Sequence, residues 1–129
     1  MHLLLDTHLL VWAMGSPERL PTGLVDMLED PGHIPVFSVA SLWELVIKSA
    51  LNRPDFSVQP GLLRRTLLES GWQELAVQAQ HVFAVADLPP LHRDPFDRLL
   101  LAQAKAEGLL LITADQQLAA YPGPIRWMT

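Results

Sequence analysis

Four acidic residues stand where an α/β chain would gather them: Asp6 closing the apolar string HLLL, Glu44 within SLWELVIK, Asp97 within HRDPFDRLLLAQA, and Asp115 ending LLLITAD. Two of these places read as strand ends and two as helices beside them. Open α/β sheets bind ligands in that region, outside the carboxyl ends of the strands. Carboxylates drawn together there repel, by ~4 kcal/mol for two unit charges about 4 Å apart at an effective dielectric of about 20. Protons or a cation must relieve that cost. The chain has no cysteine, so thiolate ligation is excluded and oxygen donors suit Mg²⁺ or Mn²⁺. A metal ion of that kind lowers the pKa of its water and offsets a phosphate's charge, which is the chemistry of phosphodiester hydrolysis.

Each acid also has an ordinary structural use. Asp6 can cap the first helix, and Glu44 with Lys48 can be an exposed i,i+4 ion pair. Asp97 and Asp94 can be favourable charges at a helix N-terminus, opposite Arg93 or Arg98. Asp115 can cap the helix that follows it, a job Thr113 can also do. Their joint placement is what favours the site. His8, directly after the first strand, and His92 and Arg93, in the loop before Asp97, are candidate contacts for a phosphate. Ser38 reads as the N-cap of the Glu44 helix and as a further candidate substrate contact. Arg64 and Arg65 read as a solvated helix face, and Trp12, Trp43 and Trp72 as core or interface aromatics.

The elements that must position these residues follow from apolar runs and punctuation. Residues 3–5 and 109–113 are short continuous apolar runs, as expected of buried parallel strands. HIPVFS is a third strand, with Pro35 arguing against a central position; WQEL and IRW are weaker ones. Thr7 is expected to cap a helix over 8–14 that ends at Gly15-Ser16-Pro17, and a second helix should begin near residue 20 or 21 and stop at Asp30-Pro31-Gly32. Further helices are expected over 39–51, 62–70, 77–86, 96–107 and in DQQLAAY, with Gly71 and Gly108 closing two of them. In the 39–51 helix, Leu42, Leu45 and Val46 should face the sheet, with Glu44 at the margin of that face. Residues 52–61 and LPPLHRDP read as loops. Strands alternating with helices imply an α/β fold with a mostly parallel sheet covered on both faces.

At 129 residues the chain supports one core, so a single domain spanning 1–129 is expected. Half of it is apolar and mean hydropathy is positive, yet no apolar run approaches the ~20 residues of a membrane span. With no leader-like segment at the start, a cytoplasmic location is expected. A formal charge of −5 argues against broad electrostatic adhesion to nucleic acid. It leaves room for a nuclease, because a carboxylate cluster contributes to that count and a bound cation reverses the local sign.

LLLDTH, the serines and SLWEL around Glu44 (Ser38, Ser41), HRDPFDRLLLAQA and LLLITAD together resemble the PIN-domain ribonucleases, and most closely the VapC toxins of type II toxin–antitoxin pairs. The resemblance runs nearly end to end, in the family's order and spacing. It implies a PIN-like three-layer α/β/α sandwich and a Mg²⁺- or Mn²⁺-dependent endoribonuclease. Its metal-binding and catalytic acids would be Asp6, Glu44, Asp97 and Asp115, with Asp94 supporting. It further implies an RNA substrate such as tRNA or rRNA, a cognate VapB-like antitoxin across the active-site groove, and a homodimer. The family's fourth acid varies in position and is Asn in some members, so whether Asp115 touches the ion stays open.

Two other functions compete. A phosphatase using Asp6 as nucleophile would want a second Asp two residues on, where His8 stands, and no Gly-rich phosphate loop is present. A catalytically silent PIN-fold interaction module would not need all four acids.

Overall fold

The computed structural model describes residues 1–51 and 58–129; the part of the expected 52–61 loop covering 52–57 lies outside the described residues. Five strands, β1 (His2–Leu5), β2 (Ile34–Ser38), β3 (Gln73–Leu75), β4 (Leu110–Thr113) and β5 (Ile125–Trp127), form one sheet in the order β3-β2-β1-β4-β5. Every neighbouring pair is parallel. The chain starts in the centre, builds outward through β2 and β3, then returns to the other side of β1 with β4. That reversal leaves the carboxyl ends of β1 and β4 adjacent, with Leu5 opposite Ile112, and opens a crevice between the helices that leave them.

Alternation along the central strands fills both faces. Leu3, Leu5, Phe37 and Ile112 point to a core shared with helices α1 (Thr7–Gly15), α2 (Leu24–Glu29), α3 (Val39–Ala50) and α4 (Pro60–Glu69). Leu4, Val36 and Leu111 point the other way, against α6 (Pro95–Glu107) and α7 (Gln116–Ala119), with α5 (Ala79–Val85) packed beside α6. Burial on both faces explains why the strands are continuous apolar runs instead of alternating ones. The result is a three-layer α/β/α sandwich whose sheet is wholly parallel among the described residues. No helix among those residues is long and apolar enough to cross a membrane.

Four local expectations are corrected. Pro35 lies in an internal strand: Ile34 N–H donates to Met1 O on the β1 side, so the Pro35 nitrogen faces β3, whose pairing begins only at Val36 opposite Gln73. The missing donor therefore interrupts no ladder bond. The cap of α1 is Asp6, not Thr7, and its carboxylate accepts from Leu9 N–H. A 3₁₀ turn at Pro17–Arg19 precedes α2, which starts only after Gly23, a residue in the left-handed region at φ 89°. Finally, α3 is rotated from the expected stripe: Ala40, Ser41, Glu44 and Leu45 are buried, whereas Val46 is exposed.

Of the tryptophans, only Trp72 is a core residue. Trp12 is half-buried with the Arg19 guanidinium over its ring, and exposed Trp43 meets Phe96 edge to face at 5.0 Å.

Candidate metal centre in an acidic cleft

The four acids meet. Asp6, Glu44, Asp97 and Asp115 line one small cleft of about 80 Å³ at the carboxyl edge of the sheet, together with Asp94, Thr7, His8 and Lys48.

Asp6 is fixed by the crossing of β1 and β4. Its Oδ1 accepts from Leu9 N–H at 2.9 Å, while Oδ2 accepts from the Thr113 hydroxyl and, at 3.2 Å, from Ala114 N–H. Capping a helix and facing the cleft are thus one role, because both carboxylate oxygens are spoken for by neutral donors. Burial pushes the Asp6 carboxyl above its ordinary range, against the pull of those hydrogen bonds.

Glu44 reaches the cleft because α3 is anchored at its start. Ser38 caps it, accepting from Ala40 N–H at 3.0 Å, and its hydroxyl donates to Gln103 Oε1 of α6 at 2.6 Å. One turn on, Thr7 donates to Ser41 at 3.0 Å. These polar ties hold the Ser41–Glu44 face inward. Glu44 is 3% exposed; Lys48 Nζ donates to its Oε2, while Oε1 is buried with no hydrogen-bond partner. The expected exposed Glu44–Lys48 pair therefore exists, but it is a buried element of the cleft.

Asp97 sits in the first turn of α6, whose cap is Asp94, with Oδ1 accepting from Phe96 N–H and Asp97 N–H. Burial first, then the neighbouring Asp94 charge, drive the Asp97 carboxyl to about 7; Asp6 and Glu44 add to the rise and a hydrogen bond with His92 opposes it. His92 Nε2 lies 2.9 Å from Asp97 Oδ2 and 3.2 Å from Asp115 Oδ2, bridging the two acids. Its backbone is clamped by Tyr121, whose hydroxyl accepts from His92 N–H at 3.0 Å and lies 3.4 Å from its carbonyl oxygen. Asp115 caps α7 through Oδ1, accepting from Gln117 N–H, and stays half-exposed.

Two expected contacts are not in the cleft. Ser38 is fully buried with its hydroxyl engaged as above, so it supports α3 and has no face for a substrate. Arg93 is exposed and does not line the cleft. Nor do Arg93 and Arg98 pair with Asp97: the Arg98 guanidinium donates to Val85 and Leu88 carbonyls. His8 lines the cleft from its exposed side. Sequence reasoning missed Thr113 as the holder of Asp6, Lys48 as a lining residue and Tyr121 as the clamp on His92. Only Lys48, one turn from Glu44, carried a readable signal.

The donor set suits a hard divalent cation. The acids supply oxygen ligands, one buried carboxylate oxygen lacks a hydrogen-bond partner, and the Asp97 carboxyl is pushed up by burial and then by its acidic neighbours, conditions that a bound ion would relieve. Within the cluster, His92, Asp94 and Asp97 offer ligand atoms all within 4.8 Å of one another.

A family model for the PIN domain matches residues 3–124; the chain belongs to the PIN-domain family. Among solved structures it is similar to VapBC2 from Rickettsia felis bound to a DNA fragment from their promoter, with TM-score 0.75 and 19% identity over 100% of both chains. It is also similar to DNA-bound VapBC from Salmonella typhimurium (TM-score 0.68, 16% identity, 98% of this chain and 97% of that one). A third is VapBC-5, of the VapBC family of toxin–antitoxin systems, from Mycobacterium tuberculosis (TM-score 0.61, 17% identity, 98% and 97%). No curated protein matches the chain. At these identities the likeness is one of fold.

Proposed function

We propose that the chain is a divalent-metal-dependent endoribonuclease, a VapC-type toxin held in check in the cytoplasm by a cognate VapB-like antitoxin. The observation that carries this reading is the convergence of Asp6, Glu44, Asp97 and Asp115 on one cleft at the sheet's switch point. Asp6, Glu44 and Asp97 would hold Mg²⁺ or Mn²⁺, with Asp115 and Asp94 completing the site. Such an ion supplies an activated water at neutral pH and a counter-charge for the phosphodiester. The chain's own part is to fix the carboxylates: neutral donors aim Asp6, the Ser38–Gln103 bond anchors the helix carrying Glu44, and the Asp94 cap starts the helix carrying Asp97. His8, exposed at the open side of the cleft, would meet RNA.

Partner surfaces support the same reading. A pocket of about 380 Å³ between α1, the 3₁₀ turn and α4, lined by Trp12, Met14, Arg19 and Leu62 among others and separate from the acidic cleft, would offer an antitoxin side chains a second foothold beyond the active-site groove. On α3 and its C-cap, Trp43, Val46, Ile47 and Leu51 make an exposed apolar stripe beside the cleft, the kind of face a homodimer covers.

Expression in a bacterial host tests the toxin reading. The wild-type chain is expected to arrest growth, Asp6→Asn to relieve the arrest, and sequencing of RNA ends to reveal discrete cuts in tRNA or rRNA only with the wild type. Growth arrest that persists undiminished in Asp6→Asn would contradict a metal-dependent toxin; a harmless wild-type chain would favour a silent module.

Thr113→Val probes how Asp6 is held. Loss of a partner that orients a ligand typically costs about 10- to 100-fold in metal affinity, and that drop is expected in a calorimetric Mn²⁺ titration. An unchanged affinity would mean that the Thr113 hydroxyl does not prepare Asp6.

A further inference from the structure

Among the described residues, Lys48 is the only lysine or arginine lining the acidic cleft. Its side chain is 19% exposed and its ammonium rests on Oε2 of Glu44, the carboxylate whose other oxygen is buried without a partner. His92 bridges Asp97 and Asp115, Arg98 is tied to two backbone carbonyls, and Arg93 lies outside the cleft. A buried carboxylate facing three other acids needs a positive charge nearby, and in the metal-free chain Lys48 provides it. Glu44, holding a divalent ion, would have the same charge supplied more strongly. Lysine is suited to such an exchange, being a compact point charge with three donors on a flexible stem.

We propose that Lys48 is an exchangeable counter-ion: it holds Glu44 in the metal-free cleft and, once a divalent cation takes Glu44, turns its ammonium to the non-bridging oxygens of the RNA phosphodiester. The second half rests on the ribonuclease reading above. In a chain of net charge −5, it gives the anionic substrate a positive contact at the cleft itself.

The two halves predict effects of opposite sign in Lys48→Met. Removing a cation that competes for Glu44 is expected to tighten Mn²⁺ binding to the metal-free full-length protein by about three- to tenfold at pH 8 in calorimetry, the scale of a screened charge at this distance. Removing a phosphate contact is expected to lower kcat/KM for RNA at saturating Mn²⁺ by at least about tenfold, as for loss of one charge-stabilising donor. Lys48→Arg should keep Mn²⁺ affinity near wild type and recover part of the cleavage. A merely structural lysine would instead weaken Mn²⁺ binding along with thermal stability, and that result overturns the proposal. So does wild-type kcat/KM in Lys48→Met. Should the Met variant fail to fold, Lys48→Gln carries the same comparison. A wild-type protein that binds Mn²⁺ but cuts no RNA would defeat the ribonuclease reading, and the Mn²⁺ titration would still decide whether Lys48 competes for Glu44.

Discussion

Asp97→Asn is expected to reduce divalent-dependent RNA cleavage by more than about a hundredfold and to remove most Mn²⁺ binding measured by calorimetry. The scale follows from comparison: disturbing an outer partner of a metal ligand already costs about 10- to 100-fold, and Asp97 is the acid on which the others converge. It faces Asp94, Asp6 and Glu44 electrostatically, and it carries the hydrogen bond to His92. The amide keeps the size of the side chain and loses the charge. Stability should move the other way, because burial and three acidic neighbours oppose a charge at this position. A variant that melts higher without metal and fails to bind Mn²⁺ would be the signature of a functional acid held at the expense of stability. Wild-type cleavage by Asp97→Asn would remove it from the site.

The second large effect is in pH. The Asp97 carboxyl in the folded chain is raised to about 7 from an ordinary value of 3.8. A group raised in the fold favours folding while protonated, so its contribution is fully present below the unfolded value and is lost as pH rises through about 7. The metal-free protein is therefore expected to lose melting temperature between about pH 5 and pH 8. Metal binding has the opposite sign, because the ion must displace that proton. Mn²⁺ affinity is expected to rise about tenfold per pH unit below pH ~7 and then level off. The Mn²⁺-induced rise in melting temperature, small near pH 5, should be large near pH 8. Calorimetric titrations across that range in the wild type and Asp97→Asn check it; an affinity flat with pH in the wild type would show that Asp97 enters the complex without losing a proton.

Much of this arrangement was legible in the residues. The runs LLL and LLLIT fit doubly covered strands best, and in a parallel sheet the acids at their carboxyl ends lie side by side. What could not be read was rotation and closure. Periodicity assigns apolar residues to a stripe on α3, but which side faces the sheet depends on Ser38 finding Gln103 and Ser41 finding Thr7, contacts 65 and 34 residues apart in the chain. Those bonds turn Glu44 inward and leave Val46 and Trp43 outside. Pro35 misled for a similar reason. Its cost depends on which neighbour its nitrogen faces, and that is a property of strand order and register. The Asp115 side chain was the least determined of the four acids, and the fold explains this: one oxygen caps α7 while the other meets the cluster through His92.

Whether this cleft hydrolyses RNA with a divalent ion is read most directly from the chemistry of the cut ends. Purified chain, freed of any partner, would be incubated with total RNA in Mn²⁺ or in EDTA and the termini analysed. An external water as nucleophile predicts cleavage that vanishes in EDTA and leaves no 2′,3′-cyclic phosphate. Cleavage that survives EDTA, or ends that carry the cyclic phosphate formed by attack of the RNA's own 2′-hydroxyl, would contradict it.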